Sequence, residues 1–136
     1  MSSSIETARP SPDSFAQVKG RVITPEDPTY DQARTVFYGG IDKRPSAIVR
    51  VSDVADVRRV IATARDEGYE LAVRSGGHSI VGHSTTEGGI VIDLRAMKGL
   101  EFDLEAGTAW AEAGLTAGEF TTAAAKHGRA VGFGDT

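Results

Sequence analysis

The chain has 136 residues, of which 40% are hydrophobic and 25% charged, a composition typical of one globular domain with a modest core. Its formal net charge of -4 argues against nucleic acid as a partner, and no apolar run approaches the ~20 residues of a membrane-spanning helix. The sequence contains no cysteine, which excludes disulfide bonds, thiolate metal sites and cysteine nucleophiles.

The N-terminal residues 1–13 are rich in serine and proline, which predicts a flexible arm before a folded domain over 14–136. This arm lacks the basic segment and apolar core of a secretory signal, so a cytoplasmic location is the default expectation. An extended segment is predicted over 18–23. A helix is predicted from Tyr30 to Phe37, where apolar residues recur at helical spacing before a Gly-Gly pair.

A strand, a helix and a second strand are predicted within residues 47–73. The β-branched run over 47–51 is typical of a buried strand, and Ser52 is the candidate N-cap of the helix. Gly68 suits the end of that helix, and a strand over 69–73 follows. Such a βαβ unit makes its strands parallel, and open sheets of this kind bind ligands beyond the carboxyl ends of their strands. The apolar stripe of the helix comprises Val54, Val57, Val60 or Ile61, and Ala64.

The C-terminal third predicts one further buried strand, a hairpin and a helix. The strand covers 90–94, and the hairpin pairs 100–104 with 108–112 around a Glu-Ala-Gly turn. Thr116 and Glu119 have capping-box spacing and open a helix that continues to Ala125, before Gly128. Residues 130–134 are either another strand or a glycine loop.

The segment Arg74–Ser79 (RSGGHS), which directly follows the second predicted strand, combines a cation, two hydroxyls, paired glycines and an imidazole. Adjacent glycines allow consecutive backbone N–H groups to converge on an anion, as loops that hold phosphate do. Arg74 could neutralise phosphate charge, and the two serines could donate hydrogen bonds. Taken alone, the motif is equally compatible with a glycine-rich turn that carries an exposed histidine.

Other polar and aromatic residues have two interpretations each. His83 is either part of the same loop near the phosphate or an ordinary solvated histidine. Asp93 ends a strand, where it could cap a turn or contact a ligand. His127 suits the C-terminus of the last helix through the helix dipole. Trp110 and Phe102 are interpreted as core residues rather than a stacking platform.

With these residues in order, the chain resembles the start of the FAD-linked oxidases of the vanillyl-alcohol oxidase superfamily, and in particular their berberine-bridge-enzyme-like and 6-hydroxy-D-nicotine-oxidase-like branch. The segments that carry the resemblance are KRPSAIVRVSDVADVRRVIATARDEG, LAVRSGGHS, GGIVIDLRAMKGLEFD and GFGDT. The resemblance implies an α+β fold with an α/β-like βαβ start. This fold is the N-terminal subdomain of a PCMH-type FAD-binding domain together with the beginning of its second subdomain.

The resemblance also implies a set of cofactor residues. The RSGGHS segment would wrap the diphosphate of FAD, and His78 would be bonded to the 8α-methyl carbon of the flavin. The cofactor-binding residues expected on this basis are Arg74, Ser75, Gly76, Gly77, His78, Ser79, Gly82, His83, Gly134, Asp135 and Thr136.

Two departures from the family limit what the resemblance implies. Many relatives have a second covalent link from a cysteine, and Gly134 stands where that cysteine aligns. The resemblance therefore implies a single link through His78, or none if incorporation is incomplete. Family members are several hundred residues long, so we expect a truncated chain without the substrate domain or the catalytic base.

The resulting functional expectation is an FAD-dependent oxidase or dehydrogenase that takes a hydride from an alcohol, a sugar or an amine heterocycle and is reoxidised by O2. The alternative is a truncated FAD-binding fragment with no activity alone. A phosphate- or nucleotide-binding module unrelated to flavin is disfavoured, because neither G-x-G-x-x-G nor a P-loop pattern occurs.

Overall fold

The structure is a computed structural model that describes residues 9–134. In chain order its elements are a short 3-10 turn (Pro12–Phe15), β1 (Arg21–Ile23), α1 (Tyr30–Arg34), β2 (Ala47–Arg50), α2 (Val54–Glu67), β3 (Leu71–Arg74), β4 (Ile90–Asp93), β5 (Leu100–Asp103), β6 (Thr108–Ala111) and α3 (Ala117–Ala125). Residues 1–8 of the predicted arm lie outside the described residues.

The main sheet has four strands in the order β1-β2-β4-β3. Strands β2, β3 and β4 are parallel, and β1 is antiparallel to β2. The predicted βαβ unit is present, but β4 lies between its two strands. All four residues of β4 are buried, because both of their neighbours and both sheet faces cover them.

Each face of the sheet has its own apolar core. One core includes Val49, Val60 and Ile92 and joins α2 and the 3-10 turn to the sheet. The other core includes Tyr30, Ile48 and Val91 and places α1 on the opposite face. The two faces alternate along each strand, as side chains of a pleated sheet do.

Two of the six helix ends differ from the predictions and the other four agree. Gly68 ends α2 with a left-handed φ of 76°, and α3 begins with the predicted capping box. The N-cap of α2 is Asp53 instead of Ser52, because the Asp53 carboxylate accepts the Asp56 N–H while the Ser52 hydroxyl donates to the Asp56 carboxylate. Helix α1 ends at Arg34 and not at Phe37, since Thr35 is extended.

The hairpin of β5 and β6 is present as predicted, and Gly107 takes a φ of 69° in its turn. The interpretation of Trp110 as a core residue is wrong, because this side chain is 74% exposed and all four residues of β6 are exposed. Phe102 is half-buried and contacts the rings of Phe120 and His127. Residues 130–134 are exposed and form no strand, so of the two predicted alternatives they match the loop.

Candidate functional site

The RSGGHS loop (Arg74–Ser79) begins at the last residue of β3, at the carboxyl edge of the sheet. Strand pairing places Arg50, Arg74 and Asp93, the final residues of β2, β3 and β4, side by side at this edge. The loop therefore starts where the ends of three parallel strands meet, the position at which open α/β sheets bind ligands.

The backbone of the loop presents a run of free donors. Gly77 is buried and has a φ of 74°, and a side chain here would contact Arg74 Cδ at 3.5 Å and Val36 Cα at 3.7 Å. Within residues 9–134, the backbone N–H groups of 76–79 donate to no acceptor. Consecutive unpaired N–H groups beside a positive-φ glycine form an anion-binding nest.

Arg74 lies beneath the loop and is 2% exposed. Its Nη2 donates to the Ala33 carbonyl at 2.7 Å and to Asp93 Oδ2 at 3.1 Å. Its Nε and Nη1 have no partner among the described residues. In this position Arg74 supports the loop from the sheet side, and direct contact with phosphate stays a prediction.

Asp93 is fully buried and receives three guanidinium groups, from Arg50, Arg74 and Arg95. Burial favours the neutral acid and opposes ionisation, but hydrogen bonds from the Arg95 side chain and backbone N–H, with the charge of Arg74, lower the pKa of Asp93 to about 2. Asp93 also accepts from the Arg95 N–H in a turn. These contacts match the interpretation of Asp93 as a residue that caps a turn, and contact with a ligand stays a prediction. The cluster has three positive charges and one negative charge, so its excess charge favours an anion at this edge.

The remaining predicted site residues have different positions. Ser75 Oγ donates to the Ala113 carbonyl, and Ser79 Oγ accepts from the His83 N–H at 3.0 Å. Gly82 is buried with a φ of 79°, whereas the His83 side chain is exposed. Gly134 is exposed and has no neighbouring atoms near the position of a Cβ, and Asp135 and Thr136 lie outside the described residues.

The His78 imidazole is exposed at the top of the loop and stacks on Phe37, with ring centroids 4.2 Å apart and an angle of 21° between the planes. Neither imidazole nitrogen makes a hydrogen bond to any residue of the described chain. A neutral imidazole with a free nitrogen lone pair is a competent nucleophile near pH 7.

Two contacts of this site were not found from the sequence. Phe37 was predicted inside a helix, and no local signal indicates that the chain leaves the helix to reach the loop. For the segment that contains Ala113 and Gly114, the sequence predicts only a connection between the hairpin and the last helix. Gly114 passes so close to the strand-β4 exit that a Cβ would lie 1.9 Å from the Leu94 carbonyl oxygen. The lone glycine before a capping box is the one signal that points to this close approach.

These residues fit a diphosphate-containing cofactor. The free N–H groups and the positive cluster suit a diphosphate, and the free imidazole suits covalent attachment.

No helix of the described residues is both long and apolar enough to cross a membrane.

Comparison with known proteins supports FAD as this diphosphate-containing cofactor. A family model described as an FAD binding domain (FAD_binding_4) matches residues 45–135. The (R)-6-hydroxynicotine oxidase of Paenarthrobacter nicotinovorans is 38% identical over 113 residues, which are 83% of this chain and 25% of that enzyme. Reticuline oxidase of Eschscholzia californica is 34% identical over 100 residues, which are 72% of this chain and 19% of that enzyme.

Among solved structures, 6-hydroxy-D-nicotine oxidase from Arthrobacter nicotinovorans superimposes with a TM-score of 0.79 at 38% identity, over 82% of this chain and 24% of that one. This superposition confirms the predicted fold class: the chain is a mixed α/β domain that aligns with about a quarter of such an oxidase. The chain spans about a quarter or less of the length of the relatives it matches.

Proposed function

The chain belongs to the FAD binding domain family, and from this membership we propose that it holds FAD for a flavin-dependent oxidoreductase, with the diphosphate on the RSGGHS loop and the flavin bonded to His78. When bound, FAD would accept a hydride from a small organic substrate (an alcohol, a sugar or an amine heterocycle) and would then be reoxidised by O2. The observation that carries the proposal is the RSGGHS loop itself: within the described residues, four of its backbone N–H groups have no acceptor, and its exposed imidazole makes no hydrogen bond.

The residues of this chain have separate roles in the proposal. The N–H groups of 76–79 bind diphosphate oxygens, and the cluster around Asp93 adds positive charge below them. His78 supplies the electron pair for the bond to the 8α-methyl carbon of the flavin. Because the sequence has no cysteine, a second link through a cysteine thiolate is excluded.

The second candidate is an FAD-binding fragment without activity alone. Two points favour it: the chain covers about a quarter of the length of its relatives, and no catalytic base is identified in this chain. The two candidates share the cofactor and differ in turnover, so they are separated by assaying substrate-dependent peroxide formation on protein that already holds FAD.

The test of the proposal is acid precipitation of the 136-residue chain after incubation with FAD. We expect flavin fluorescence in the washed pellet, and its reduction to background in His78→Ala. His127→Ala is the matched control, because His127 is an exposed histidine whose ring contacts Phe102 of β5 and which is not among the expected cofactor residues. Flavin released by acid from the unmodified chain would contradict covalent attachment, and a folded protein that retains no flavin at all would contradict FAD binding.

A further inference from the structure

Phe37 is a large apolar side chain that is 62% exposed, and the structure gives it one extensive partner, the imidazole of His78. The rings are nearly parallel at a centroid distance of 4.2 Å. Tyr38 contacts the edge of Phe37 at 5.1 Å and an angle of 89°, which limits how far the Phe37 ring tilts. Phe37 therefore lies outside both cores and covers one face of the predicted attachment residue.

The backbone holds Phe37 in this position. Helix α1 ends at Arg34, and Thr35 is extended at φ -62° and ψ 134°, so the chain turns away from the helix axis. Val36 is buried and anchors the segment, and the Phe37 N–H donates to the Gly77 carbonyl at 3.1 Å. One hydrogen bond and one stack thus connect this segment to Gly77 and His78 of the RSGGHS loop.

One edge of the imidazole lies beside Gly76. A Cβ at Gly76 would lie 3.3 Å from His78 Cδ2 and 3.7 Å from Nε2, so the absence of a side chain leaves room for this edge of the ring. Among residues 9–134, no hydrogen bond holds either nitrogen. The ring is thus oriented by packing alone, and its lone pair stays available, whereas a hydrogen bond would fix a tautomer and occupy one nitrogen.

We propose that Phe37 is the positioning residue for covalent attachment of flavin: it holds the plane of the His78 imidazole so that a nitrogen faces the cofactor. This inference rests on the proposed function. Bond formation uses an electron pair of the imidazole; one methyl proton and one imidazole proton leave, and two electrons pass through the flavin to O2. A preset ring orientation raises the fraction of bound cofactor that is ready to react.

The experiment compares Phe37→Ala, Phe37→Leu and Phe37→Trp with the unmodified chain. The rate at which FAD becomes acid-stable in the pellet is measured at saturating FAD, together with total bound flavin. We expect Phe37→Ala and Phe37→Leu to slow attachment about two- to tenfold, the range for loss of an aromatic pair, with total binding unchanged. Phe37→Trp retains a stacking face and should restore the rate. Ile61→Ala is the control, since Ile61 is also an exposed apolar side chain, on α2.

A second readout does not depend on flavin. The His78 ring protons of the FAD-free chain should show an upfield ring-current shift that disappears in Phe37→Leu and is retained in Phe37→Trp. If the shift disappears and the attachment rate is unchanged, the positioning role is overturned while the proposed function stands. If the unmodified chain binds FAD without covalent attachment, both the positioning role of Phe37 and the covalent part of the proposed function are overturned. Absence of the upfield shift in the unmodified chain overturns the stack itself.

Discussion

At the scale of single residues, the Asp93 carboxylate is the counter-charge for the arginines at the carboxyl edge of the sheet. Asp93 is fully buried between Arg50, Arg74 and Arg95, and Arg74 is itself almost completely buried. Two buried charges are costly unless each has the other as a partner, so the loop above depends on this pair. The pair accounts for the position of Arg74 beneath the RSGGHS loop, and direct contact of Arg74 with phosphate stays a prediction.

Asp93→Asn should therefore destabilise the fold by about 3 kcal/mol, because it leaves the Arg74 guanidinium buried without a counter-charge. For a chain of this size, that corresponds to a fall in Tm of roughly 10 °C. Thermal unfolding followed by circular dichroism measures the change. Asp66→Asn is the control, since Asp66 is exposed on α2 and, within residues 9–134, pairs with its neighbour Arg65 alone. Equal Tm values for the two variants would refute a structural role for the buried pair.

The same residue predicts an acid limit to stability. The pKa of Asp93 is about 2 in the folded chain, as the hydrogen bonds of Arg95 and the charge of Arg74 outweigh burial, and about 3.9 in an unfolded chain. The carboxylate thus stabilises the fold above pH ~4, and this contribution is lost as the pH falls toward 2. The Tm difference between the unmodified chain and Asp93→Asn should shrink across this interval and stay constant from pH 5 to 7.

At the scale of elements, α3 begins with a complete capping box. The Thr116 hydroxyl accepts the Glu119 N–H at 3.2 Å, and the Glu119 carboxylate accepts the Thr116 N–H at 2.8 Å. Thr116→Ala should cost about 1 kcal/mol of unfolding free energy by removing one of the two caps. Denaturant titration measures this loss, and Thr116→Ser, which keeps the hydroxyl, should recover most of it. Equal losses in both variants would indicate that the methyl group and not the cap stabilises the helix.

Elements whose signals are local could be predicted from the sequence, and those decided by distant contacts could not. The capping box of α3, the glycine that ends α2 and the apolar run of β4 each lie within a few residues of the structure they specify. Helix α1 was predicted to continue to Phe37 because its apolar spacing continues. The Phe37 N–H bonds instead to Gly77, 40 positions along the chain, which no local pattern encodes. The candidate site shows the same division: the RSGGHS motif is visible in the sequence, whereas the contacts that Phe37, Asp93 and Ala113 make with it are not.

At the scale of the whole molecule, stability is unevenly distributed. Every residue of β4 is buried and every residue of β6 is exposed. Within the described part of the chain, the hairpin and α3 have no extensive contact with the strands or helices of the sheet, and residues 113–114 connect them to its carboxyl edge. Local opening requires least free energy where little apolar area is buried, so the hairpin is expected to open without the sheet.

Native-state hydrogen exchange should detect this difference. Hydrogen-bonded amides of β4 should exchange at least about tenfold more slowly than those of β5 and β6, because β4 opens only in global unfolding. Trp110, the one tryptophan of the sequence, should be quenched by acrylamide almost as readily in the folded chain as in the unfolded one. Equal exchange rates in the two sheets would contradict independent opening.

Because Phe37, Gly77 and Arg74 hold the RSGGHS loop from the side of the main sheet, the His78–Phe37 stack should persist under conditions in which the hairpin amides already exchange.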